Sequence, residues 1–301
     1  MAADPRPPAA PSRLPDGSVI RPFSERAELE ECVELQRRVW GKDFVDFASP
    51  AVLKIVQTVG GVAAGAFDPD GRMLGFVFGI TGIAEGHPLH WSHMLAVLPE
   101  ARGRDLGYHL KLYQRRRLLA LGVERVLWTF DPLVAKNAHL NLVRLGARPE
   151  RYVRDFYGEG GDSALSAGIG TDRFIVEWAI AEERVARRVE GLGAGDEPAG
   201  PPEAYRTAPV ANVREGGAGE GPEASEPVVA EPPEAPVVRI EVPDDVQEVR
   251  RAAPERAALW RVSTRRAFEA LLERGYRVET FYREPGAGRR AFYVLVEEGR
   301  A

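Results

Sequence analysis

Residues 94–111 read MLAVLPEARGRDLGYHLK. An apolar strand ends at Pro99, a short loop rich in glycine and arginine follows, and the loop opens directly into a helix. The order matters because the first turn of a helix presents backbone N–H groups and a partial positive charge, a natural seat for a pyrophosphate. Gly103 and Gly107 let the backbone approach a phosphate, and Arg102 and Arg104 add charge. A glycine loop alone is most often an ordinary strand-to-helix turn, so its neighbours decide the reading.

Working outward, Ser18 to Phe23 reads as a first strand, followed by a helix with Leu29, Cys32, Val33 and Leu35 on one face, and a second helix over Ala51 to Val59. Val62 to Phe67 and Met73 to Ile80 are strands joined by Asp68-Pro69-Asp70-Gly71, a strong turn sequence. His90 to Val97 is apolar on both faces, as a central strand is. Beyond the glycine loop come a helix ending at Gly122, a strand over Arg125 to Phe130, a helix over Ala135 to Leu145, and strands near Tyr152 to Tyr157 and Arg173 to Ile180.

Leu95-Ala96-Val97, Pro99-Glu100 and the R-G-R-x-L-G run occur together, and they resemble the signature of the GNAT acyltransferases, as does the element order over about residues 18–180. Arg102 and Gly107 fill the ends of the family pattern, and Asp105 stands where its middle glycine is usual. The resemblance implies a mixed, mostly antiparallel α/β sheet flanked by helices. It also implies acetyl-CoA as co-substrate, held by Arg102, Gly103, Arg104, Leu106, Gly107 and Tyr108 at the turn and by Leu95, Ala96 and Val97 on the strand leading into it. Aligning the second family motif on Gly146 places Ala138 correctly. Ala135 then replaces an Asn, Ala147 a Phe, and Leu142 the Tyr that in many members protonates the departing thiolate. Asn137, on that helix, is a candidate contact for the pantetheine arm.

His93 is the candidate general base, with a hydrogen-bonded core histidine as the alternative. Strand alternation points it the same way as Trp91 and Leu95, and position 91 aligns with the place where several members carry a base. Asp131, at the end of the Arg125 to Phe130 strand, is the second candidate base, with a plain Asp-Pro turn as the alternative. Tyr157 is the candidate donor to the thiolate, and the segment from Tyr157 to Arg173 a candidate lid. His87, His90 and His93 are spaced so that in a strand the middle one faces away from the others, which argues against a metal.

The chain of 301 residues is 44% hydrophobic, enough for a substantial core. Its net charge of −5 is concentrated between Gly191 and Pro236, which leaves the remainder slightly positive, far from the basic stripe of a nucleic-acid binder. No apolar run is long enough to span a bilayer, no signal-peptide pattern opens the chain, and Cys32 is the single cysteine; a cytoplasmic protein is the economical expectation. The expected organisation is an unstructured tail (1–17), a GNAT domain (18–190), a disordered acidic Gly/Pro/Ala-rich linker (191–236) and a C-terminal α/β extension (237–301) that packs on the GNAT domain. The expected function is acetyl-CoA-dependent N-acetyl transfer to a small-molecule or peptide amine, by direct attack on the thioester. The alternative is a GNAT-like module that binds acyl-CoA or another ligand with little turnover, and a weaker third is a scaffold recruiting a partner through the linker and extension. A homodimer is compatible with either of the first two.

Overall fold

The computed structural model describes residues 10–42, 44–158, 169–191, 200–215, 225–284 and 290–299. In chain order the elements are β1 (Ser12–Arg13), β2 (Val19–Pro22), α1 (Arg26–Trp40), α2 (Pro50–Thr58), β3 (Val62–Phe67), β4 (Met73–Ala84), β5 (His87–Val97), α3 (Leu106–Leu119), β6 (Arg125–Phe130) and α4 (Ala135–Ala138). There follow β7 (Arg148–Val153), β8 (Arg173–Ala179), α5 (Glu183–Gly191), α6 (Glu203–Arg206), β9 (Val213–Glu215), β10 (Ser225–Pro227), β11 (Val237–Pro243), α7 (Val246–Ala252), α8 (Pro254–Glu273), β12 (Tyr276–Arg283) and β13 (Arg290–Glu297). They group into two units, Met1–Trp128 with Ala179–Val189, and Thr129–Trp178 with Glu190–Ala301.

In the first unit the strands follow the order β1-β2-β3-β4-β5-β6. Every pairing is antiparallel except β5 with β6, which run parallel. The Asp68 to Gly71 turn forms as its chemistry dictates: Gly71 takes φ +85° and donates its N–H to the Asp68 carbonyl. Residues on β4 alternate between two helical faces. Phe76 meets Trp40 of α1 edge-on at 6.0 Å, whereas Gly79 and Thr81 lie opposite Ser92 and His90, whose side chains both hydrogen-bond with Gln114 of α3, His90 also with Thr81. The tail expected to be unstructured is paired at its end, since β1 bonds to β2 and Ser12 Oγ accepts from Arg116. Residues 1–9 lie outside the described set.

In the second unit β7 and β8 form an antiparallel pair, and β11, β13 and β12 form a separate antiparallel sheet in that order. The segment after β6 is a single α turn continued by a π-helical stretch, His139–Arg144, where a regular helix over 135–145 was expected. The extension shares its core with residues 129–178: Phe268 meets Phe174 at 4.9 Å and Tyr152 at 5.5 Å, and Tyr293 meets Phe268 at 5.1 Å. Each such pair adds about 0.5–1.5 kcal/mol beyond the area it buries. That aromatic cluster is why these residues group with the extension rather than with residues 18–128. The linker reading for 191–236 also needs correction. Its described residues carry α6 and the β9–β10 pair, and Val210 bridges to Arg239 of β11. Tyr205 and Val210 supply apolar cover for Tyr282 and Phe292, burial that the Gly/Pro/Ala-rich composition concealed. Residues 192–199 and 216–224 lie outside the described set.

Candidate functional site

The register of β5 against β4 contains the first unit's most consequential irregularity. Phe78 faces Met94, but the next pair is Gly79 with Ser92, so His93 is an extra residue, a β-bulge. Residues directly opposed across a ladder share a face. Trp91, opposite Ile80, and Met94, opposite Phe78, therefore lie on the Phe76 face, whereas Ser92 and Leu95, opposite Gly79 and Val77, lie on the α3 face. This corrects the expectation that Trp91, His93 and Leu95 point together: the inserted residue breaks the period of two. His93 packs edge-on against Phe78 at 5.9 Å. Lost hydration lowers its imidazole pKa below the ordinary value, opposed by the Asp46 carboxylate.

Just before the bulge, β5 and β6 part. Their parallel pairing runs from Leu89 opposite Arg125 to Trp91 opposite Leu127, while β5 continues to Val97. Ser92 and Trp128 are thus the first residues past the paired stretch. At the far end of β5, Pro99–Ala101 makes a 3-10 turn, Gly103 takes φ +80°, and Asp105 sits at φ 54°, ψ 17° as N-cap of α3. Asp105 therefore occupies the left-handed region that favours glycine, which aspartate tolerates better than most side chains. The first ladder bond of α3 runs from His109 N–H to the Asp105 carbonyl, 3.0 Å, so the first-turn amides lie ahead of the ladder. Arg102, Gly103 and Arg104 are exposed, and Gly107 is half-buried. Leu106 and Tyr108 are buried, and the Tyr108 hydroxyl donates to the Val189 carbonyl at 3.3 Å, so both side chains serve the fold.

A line of polar groups runs beneath the parting of the strands. Lys111 Nζ donates to Ser92 Oγ at 2.7 Å and to Gln114 Oε1 at 3.2 Å, and Ser92 Oγ donates to Gln114 Oε1 at 3.1 Å. Gln114 Nε2 lies 3.0 Å from His90 Nε2, and His90 Nδ1 lies 2.9 Å from Thr81 Oγ1, which donates to the Gly60 carbonyl at 3.1 Å. One assignment satisfies the whole line: a neutral His90 carrying its proton on Nδ1. A sequence-level signal existed for Lys111, since it falls on the buried stripe of α3 with Gln114 and Leu118.

In the second unit, both Asp131 oxygens are engaged. Oδ1 accepts the Leu133 N–H at 2.9 Å, and Oδ2 accepts from Arg261 Nη2 at 2.7 Å with Arg173 Nη1 at 3.7 Å. Arg265, one helical turn after Arg261, donates to Asp172 and, at 3.1 Å, to Asp155; Tyr152 also donates to Asp172. Burial alone would raise the Asp172 carboxyl pKa, but the bonds from Arg265 and Tyr152 outweigh it and hold it below the usual value. Tyr157 is exposed, with its hydroxyl 3.2 Å from Thr129 Oγ1. Asn137 is half-buried on α4 and Leu142 is buried. The candidates thus fall in two groups, with His93 and the turn residues in the first unit and Asp131, Asn137 and Tyr157 in the second. Part of the expected lid, residues 159–168, lies outside the described set.

Among the described residues no group of His, Cys, Asp and Glu forms a metal site, and no helix is long and apolar enough to cross a membrane. No protein-family profile and no curated protein matches the sequence. Among solved structures, the chain is similar to the ribosomal-protein-S18-alanine N-acetyltransferase from Escherichia coli (19% identity, TM-score 0.42, 55% of this chain and 95% of that one). It is also similar to a chain of the NatC complex bound to Gag peptide and CoA (15%, 0.41, 54% and 98%). A third is an aminoglycoside 6'-N-acetyltransferase complexed with coenzyme A (15%, 0.41, 55% and 98%). The order strand, two helices, three-stranded meander, helix, strand, helix, strand pair, with the meander's last strand bulged and running into a glycine turn, is that of the GNAT acyltransferase fold.

Proposed function

We propose that this chain is an acetyl-CoA-dependent N-acetyltransferase acting on a small-molecule or peptide amine. The observation that carries the reading is the sequence of features along β5: the parting from β6 after Trp91, the bulge at His93, and the glycine turn onto the N-terminus of α3. The turn suits a pyrophosphate by its first-turn amides and the exposed Arg102 and Arg104. The bulge frees strand backbone where the acyl group of an extended acetyl-CoA would lie beside Leu95, Ala96 and Val97. The amine nitrogen attacks the thioester carbonyl, the C–N bond forms, the C–S bond breaks, and the amine's proton leaves to a base. His93 is the base in this reading, because its lowered pKa keeps the imidazole free to accept a proton at neutral pH. Asp131 takes an anchoring role instead, its charge paired with Arg261 and Arg173. Tyr157 is the proposed proton donor to the thiolate, and Asn137 the proposed contact to the pantetheine arm.

The second reading, acyl-CoA binding with little turnover, is favoured by one observation: Leu142, where many members place the tyrosine donor, is buried. Calorimetry with acetyl-CoA followed by CoA release across an amine panel separates the two. Binding with release supports transfer, binding without release supports the second reading, and no binding at millimolar acetyl-CoA refutes both. His93→Ala is expected to lower turnover at saturating acetyl-CoA by about 10²–10⁴-fold with affinity nearly unchanged.

A further inference from the structure

The transfer chemistry proposed above makes no use of Lys111, whose environment is unusual. The side chain is buried to 3% exposure, and among the described residues it makes no ion pair. Its ammonium group reaches a residue on each of the two strands where they part. On one side it donates to Ser92 Oγ, on the residue just before the bulge. On the other it stands 3.8 Å from the ring centroid of Trp128, the first β6 residue past the pairing with β5. A cation over an indole face is attracted by the ring quadrupole, most strongly when desolvated. One group therefore holds both sides of the split.

We infer that Lys111 is a positioning residue, a wedge whose ammonium group ties Ser92 to Trp128 and so sets the separation of β5 and β6 and the shape of the bulge at His93. For its catalytic consequence, the inference rests on the acyl-transfer reading; the structural claim stands apart from it. The surroundings make the wedge sensitive to protonation. Burial lowers the Lys111 pKa to about 7. The titratable group facing it from β5 is His90, whose pKa is pushed down to about 3, first by burial and then by the Lys111 charge. Thr81 of β4 and Trp128 of β6 carry no charge, and on α3 itself Arg115 turns its Nε to the Ile180 carbonyl at 2.9 Å. Losing the proton removes the cation–π attraction and one donor, and the tie across the split weakens.

The chain has four lysines, Lys42, Lys54, Lys111 and Lys136, so 13C labelling at lysine Cε resolves each, with Lys111→Met assigning the buried one. The expected result is a Lys111 signal that titrates near neutral pH, accompanied by shifts of the His93 backbone amide and the Trp128 indole that Lys111→Met abolishes. In the transfer assay, folded Lys111→Met is expected to lose about tenfold to a hundredfold in kcat, the cost of a misplaced reacting group, with KM for acetyl-CoA nearly unchanged and the neutral limb of the pH profile gone. A Lys111 signal titrating at an ordinary lysine value overturns the inference. So does a His93 amide unmoved by pH and by the substitution, or a folded variant with wild-type kcat and pH profile. Absence of transfer by the wild type refutes the acyl-transfer reading alone, and the resonances still decide the wedge. If Lys111→Met does not fold, Ser92→Ala cuts the same tie, and an unmoved Trp128 indole in that variant overturns the proposal.

Discussion

Each unit buries cations, and the two solve the problem in opposite ways. In the first, Lys111 sits among neutral groups, a serine hydroxyl, a glutamine carbonyl and an indole face, and burial drives its pKa to about 7. In the second, Arg261 and Arg265 face carboxylates. Burial opposes the Arg261 charge and Asp131 more than restores it, while the Asp172 bond raises Arg265. A guanidinium keeps its proton under all ordinary conditions and binds carboxylates through a planar fork, whereas an amine in a dry site can shed its charge. The difference separates a fixed brace from a group able to respond to pH. The brace anchors α8 to Asp131, Asp155 and Asp172; the responsive group lies beside the proposed chemistry.

The largest effect expected is on the brace. Asp172 is fully buried, and Asp172→Ala leaves Arg265 and Tyr152 without it, which costs about 3–5 kcal/mol in denaturant unfolding. The carboxyl pKa is lowered on folding, so its stabilisation is complete above the unfolded value of about 3.8 and is lost as pH falls through the lower folded value. The gap between wild type and variant should narrow in acid; a gap independent of pH breaks the assignment of charge to this brace.

Lys111 should give the opposite pH signature. Between about 7 and 10.5 the unfolded chain holds a proton at this site that the folded one has released. Wild-type stability relative to Lys111→Met therefore rises with pH across that window, by at most about 1.4 kcal/mol per unit. A constant difference would put Lys111 in the same class as the arginines.

Gly79→Ala tests how tightly the polar line is packed. A Cβ there meets the His90 imidazole and lies 2.6 Å from the Trp91 carbonyl oxygen. Overpacking of this kind costs about 1–3 kcal/mol, read by thermal unfolding, and unchanged stability would mean that His90 is free to move. The smallest effect is expected at His93. It is exposed on the bulge, so His93→Ala should change stability by less than about 0.5 kcal/mol while its effect on turnover is large. A large stability loss would instead make His93 part of the core.

The sequence alone determined the local features. Asp68-Pro69-Asp70-Gly71 specified a turn, the apolar runs on either side specified strands, and the glycines and arginines after Pro99 specified a strand-to-helix passage onto α3. In each case the chemistry acts over a few residues: a glycine at positive φ, a proline that fixes its own φ, a period of two or of 3.6. Tertiary structure decided the rest of the site. Alternation placed His93 with Leu95, but the bulge opposite Phe78 and Gly79 rotated Leu95 to the other face, and a bulge is a property of two paired strands. Asp131 read as a base or a turn residue until Arg261, 130 positions later, was found on its Oδ2. The Gly/Pro/Ala-rich residues 200–215 read as linker because their apolar partners lie on β12 and β13. Lys111 shares the stripe of α3 that carries Gln114 and Leu118, but local pattern cannot show a strand pair parting above it. Its burial, and with it its titration, depends on Ser92, Gln114 and Trp128 being brought together by pairing across the sheet.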